Sequence, residues 1–62
     1  MTLSEMAKTA HRTNNRQQAR VVASALRFRM GMDYEESKDW AQRRANLGPD
    51  EFEELMALAD EG

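Results

Sequence analysis

The sequence predicts an all-α protein, a small three- or four-helix bundle around a central apolar helix at about residues 15–31. Three observations carry this expectation. Apolar residues recur at three- and four-residue spacing along the chain. Each apolar stretch is preceded by residues that start helices, and Gly31 and Gly48-Pro49 supply stops. Finally, residues 15–31 are apolar around most of a helix circumference, as a helix covered on several sides would be.

The first element is expected at residues 3–12. Thr2 followed by Glu5 is a capping-box pattern. Leu3, Met6, Ala7 and Ala10 then form an amphipathic stripe. Residues 11–15, His-Arg-Thr-Asn-Asn, break the apolar pattern and favour side-chain bonds to the backbone, so they read as a short turn. The alternative is one bent helix over residues 3–30.

The central helix starts at Asn15, with Gln18 placed to reach back, or one residue earlier at Asn14 with Gln17. It stops at Gly31, which closes helices in the left-handed conformation. At about 100° per residue, Arg16, Arg20, Ser24 and Arg27 share one narrow stripe. Ala19, Val22, Ala23, Leu26 and Met30 form an apolar arc that Val21, Ala25 and Phe28 widen. An arc of roughly 200° exceeds the stripe of an ordinary surface helix. It therefore predicts several packed neighbours or a second subunit. Arg29 falls inside that arc and reads as a snorkelling side chain; the alternative is a buried pair with a carboxylate from the second half.

Asp33 with Glu36 is a second capping box and opens a helix at about residues 34–46. Tyr34, Ser37, Trp40, Ala41, Ala45 and Leu47 share one side, with Tyr34 and Trp40 expected as core anchors. Pro49 suits the first turn of a last helix, where Asp50 and Glu51 match the helix dipole. Its apolar stripe is Phe52, Leu55, Met56 and Ala59. Short connections predict that helices adjacent in sequence pack on one another nearly antiparallel.

All 62 residues fit one domain, which buries only about 60% of its unfolded surface. There is no Cys and one His, which excludes disulfides and the usual zinc sites. No residue set predicts a metal or a cofactor. No apolar run suits a secretion signal or a membrane span, so a cytoplasmic protein is expected. His11 alone cannot build a catalytic triad, and the acids are too many to single out an acid–base pair. A non-enzyme is expected.

The charge pattern is more informative. Residues 1–30 hold six bases and one acid, +5, whereas residues 31–62 hold three bases and ten acids, −7. The favoured function is a small regulatory or inhibitory protein acting by protein–protein contact. Its contact face would be the acidic C-terminal helix, with Asp50, Glu51, Glu53, Glu54 and Asp60, engaging a basic partner. The wide arc also predicts a homo-oligomer, a homodimer first. The alternative is a DNA- or RNA-binding protein using Lys8, Arg12, Arg16, Arg20 and Arg27 on phosphates. A third arrangement pairs the basic stripe with the acidic helix, within the chain or across a dimer.

Overall fold

A computed structural model describes residues 1–61, which form four helices and no strand. They are α1 (Leu3–Thr13), α2 (Arg16–Ser24), α3 (Tyr34–Arg44) and α4 (Pro49–Asp60). The described chain is close to isometric, 22 × 22 × 21 Å.

The starts follow the capping chemistry of the sequence. Thr2 Oγ1 accepts from the Glu5 N–H at 3.2 Å, and Glu5 Oε1 accepts from the Thr2 N–H at 3.2 Å. The same reciprocal pair opens α3, with Glu36 N–H to Asp33 Oδ1 at 2.8 Å and Asp33 N–H to Glu36 Oε1 at 3.0 Å. Pro49 occupies the first turn of α4, and Glu51 Oε1 accepts from the Gly48 N–H at 2.9 Å. Each bond satisfies a donor that the helix itself leaves unpaired.

The α1–α2 connection is tighter than the five-residue turn expected. His11, Arg12 and Thr13 stay helical, and the direction changes at Asn14, which is left-handed at φ 56. Asn15 then caps α2 by accepting from the Gln18 N–H at 3.1 Å. Gln18 does not reach back, because the Asn15 N–H already donates to the Ala10 carbonyl at 2.9 Å. The Gln18 Oε1 atom is consequently buried without a partner.

After Ser24 the central helix widens into a π turn, Ala25–Arg29, before Gly31 closes it at φ 66. The Met30 N–H reaches the Ala25 carbonyl at 3.0 Å, and the Met32 N–H reaches Leu26 at 2.9 Å. At the end of α3, Asn46 rather than Gly48 makes the left-handed turn, at φ 55.

The core consists of Ala7 and Ala10 from α1, Ala19, Val22 and Leu26 from the central helix, Ala41, Ala45 and Leu47, and Phe52, Leu55 and Leu58 from α4. Leu58, absent from the expected stripe of α4, is buried, whereas Met56 and Ala59 are half-buried. Two of the three pairs adjacent in sequence pack as expected, α1 on α2 and α3 on α4, whereas α2 and α3 do not pack extensively. α2 packs most extensively on α4, and α3 lies on α4 and α1.

The expected wide burial of the central helix is corrected. Val21, Phe28 and Met30 are 49%, 74% and 45% exposed. Two short neighbours, α1 and α4, cover a single stripe of α2, and the π turn carries Phe28 off it. Tyr34 is half exposed instead of being a core anchor, with its ring edge on Phe52 at 5.3 Å. Trp40 is half-buried against the outside of the core. Arg29 is exposed, and no carboxylate among the described residues pairs with it.

The α1 cap gives a pH prediction. The Thr2 backbone N–H, and then the Thr2 hydroxyl, hold the Glu5 carboxyl below the ordinary glutamate range. A lowered folded value means that the unfolded chain takes up the proton first as pH falls. The cap's contribution is therefore full above the ordinary range and is lost as pH drops through the lowered value. In an NMR titration the Glu5 carboxyl carbon should show a midpoint below about 4.3, with the Glu5 amide moving in step. A midpoint at or above that value would contradict the cap.

Candidate functional site

Two surfaces bring together the residues singled out by the sequence, and they meet at the C-terminal end of α4.

The first is the outer side of α4. Asp50, Glu51, Glu53, Glu54 and Asp60 are all exposed. They alternate with Phe52, Leu55 and Leu58, which face the core, so burial of the apolar stripe turns the acids outward. Two of the five are already engaged. Glu51 caps its own helix at Gly48. Glu54 Oε1 lies 2.7 Å from His11 Nε2, tying α4 to α1. Asp50, Glu53 and Asp60 have no hydrogen bond or ion pair among the described residues.

The second surface is the basic side. Lys8, Arg12, Arg16, Arg20 and Arg27 are exposed. Lys8 and Arg12 are one turn apart on α1, as are Arg16 and Arg20 on α2. The Arg20 guanidinium donates to the Glu61 carbonyl, so the basic stripe touches the end of the acidic helix. Arg27 lies over the Phe28 ring, 5.4 Å from its centre.

Between α2, α3 and α4 lies a cleft of about 470 Å³. It exists because α3 packs on α4 and α1 and leaves its side toward α2 open. Met32, Met56 and Ala59 give it apolar walls, and Tyr34 stands at one side. Asp33 and Asp60 bring carboxylates to it, and Arg27 brings one cation. Ser37 also lines it. Only 6% exposed, Ser37 is the one polar residue among the buried ones of the described chain, and its hydroxyl makes no hydrogen bond to the described residues.

The cleft unites Asp60 and Arg27, which the sequence assigned to opposite functional readings. It adds Asp33 and Ser37, which the sequence presented as a cap and as part of an apolar face. Among the described residues no three His, Asp or Glu side chains gather as a metal site. No helix among them is long and apolar enough to cross a membrane. Comparison of the chain with protein-family models, with curated proteins and with solved structures finds no match.

Proposed function

We propose that this chain is a non-enzymatic regulatory or inhibitory protein that binds a basic protein partner through the outer face of α4. The observation that supports this reading is the set of unpaired carboxylates Asp50, Glu53 and Asp60 on a helix with no base of its own. Such a face attracts a cationic partner over a distance and orients it before contact. Glu51 and Glu54 belong to the same face but contribute mainly by holding α4 in place. A cytoplasmic location agrees with the cysteine-free chain. Self-association would use the uncovered Val21, Phe28 and Met30.

The test begins with affinity capture from the native cell extract, with and without nuclease, and identification by mass spectrometry. Replacing Asp50 and Glu53 together by Lys should then lower the association rate with the captured partner about tenfold at low salt, and less at high salt. An unchanged rate would remove α4 from the interface.

A second reading has its own observation. The outer side of α2 and of the π turn that continues it presents Arg16, Gln17, Ser24 and Arg27 with no acid between them. That surface suits phosphates. Under this reading, binding to a mixed DNA duplex should fall steeply with salt, and Arg16→Ala with Arg20→Ala should flatten the slope by about two. No binding at low salt would exclude it.

A further inference from the structure

We infer that the cleft between α2, α3 and α4 is a pocket for one cationic side chain, arginine or lysine, of the basic partner. The inference rests on the preceding reading of α4 and supplies it with a specific point of attachment.

An arginine or lysine side chain has an apolar stem and a cationic head. The cleft offers a match for each part. Met32, Met56 and Ala59 wall it, and methionine side chains adapt readily to a flexible stem. Asp33 and Asp60 provide the counter-charge from two different segments. Asp33 uses one carboxylate oxygen, Oδ1, to cap α3, while Oδ2 stays unbonded. Ser37 gives the independent indication. Most polar atoms on residues this buried have a hydrogen-bond partner, from the protein or from water. Here it has none within the described chain. Its oxygen is not among the polar atoms sealed away from solvent, and the residue lines the cleft. A guanidinium or ammonium N–H entering the cleft would give that oxygen a donor.

The alternative occupant is an anion held by Arg27. Two features oppose it. Two carboxylates line the cleft against one guanidinium, leaving a formal surplus of negative charge. The Arg27 guanidinium also lies on the Phe28 ring. A volume of about 470 Å³ exceeds what one side chain fills, so flanking partner backbone has room to enter. Arg27 then becomes a selector: it disfavours a second cation beside the first and favours an acid or a carbonyl there.

The probe is Nα-acetyl-arginine methylamide, titrated into isotopically labelled protein and followed by amide NMR. Saturable shifts of Tyr34, Ser37 and Asp60 are expected, without movement of Asp50 or Glu53. Asp33→Asn combined with Asp60→Asn should weaken half-saturation about tenfold. Asparagine keeps the α3 cap, and an unchanged Phe52 spectrum reports that the variant is folded. Acetyl-norleucine methylamide has a similar stem without charge and should not saturate. Equal binding of the norleucine compound, preferential binding of acetyl-glutamate methylamide, or no saturable shift with arginine would each overturn the inference. This readout is independent of the captured partner. Charge reversal at Asp50 and Glu53 can therefore fail while the arginine titration succeeds, or the reverse, and the two readings are separated.

Discussion

Phe52→Ala should destabilise the fold by about 3–5 kcal/mol, the cost of emptying a large buried aromatic site. Phe52 is fully buried and is the largest of the side chains sealed in the core. It also carries the edge contact with Tyr34 at 5.3 Å and 65°. Loss of the ring leaves a void between α4 and the elements it joins and removes the surface on which Tyr34 rests. A single core of this size rarely holds more than about 3–5 kcal/mol in total. The variant should therefore have no cooperative urea transition by far-UV circular dichroism and Trp40 fluorescence. A wild-type midpoint would refute the role given to Phe52. Tyr34→Leu is the companion measurement. It removes only the half-exposed partner and should cost about 1 kcal/mol, with the transition intact.

The second large effect has the opposite sign of volume. Ala7, Ala10, Ala19, Ala41 and Ala45 are fully buried, five alanines in a core with few large side chains. A methyl group at these places lets neighbouring helices approach closely, and packing at native density leaves no room for more. Ala19→Leu should cost about 1–3 kcal/mol or more by forcing α2 away from its neighbours. Ala57→Leu is the control. Ala57 is exposed on α4, so the change should stay within about 0.5 kcal/mol. Denaturant midpoints of the two variants decide the matter. Equal midpoints would mean that α2 is free to shift, and the close-packed account of the core would be wrong.

Much of the secondary structure was legible because its signals are local. Thr2 and Glu5, Asp33 and Glu36, Asn15 as N-cap, Pro49 in a first turn and Gly31 at a helix end all act within a few residues. What escaped the sequence depends on contacts far along the chain. Asn14 and Asn46 carry the same left-handed chemistry as Gly31, yet Asn14 also suits an N-cap and Asn46 also suits a helix. Residues 25–29, Ala-Leu-Arg-Phe-Arg, are ordinary helix formers and give no sign of a wider turn. The apolar arc of the central helix was real in sequence. How much of it becomes covered depends on how many helices surround it, and two short ones, α1 and α4, suffice only for a single stripe. The acidic face was legible as composition, but the division between engaged Glu51 and Glu54 and open Asp50, Glu53 and Asp60 was not. It rests on a helix terminus and on His11, 43 residues away from Glu54. Ser37 looked like one more small residue on an apolar side. Only the failure of α3 to close on α2 gives its hydroxyl meaning.

A π turn has one residue more than an α-helix needs to cover the same path. The extra residue is therefore taken up within the Ala25–Arg29 turn itself. Deleting one exposed residue there would restore α geometry along the same path, and the residues that follow would keep their places relative to α2. Met32, Asp33 and Tyr34, three of the residues that line the cleft, lie immediately beyond that point. A one-codon deletion of this kind is thus expected to leave both the helical content and the arginine titration nearly unchanged. Circular dichroism together with that titration checks it, and loss of the titration with helicity intact would contradict it.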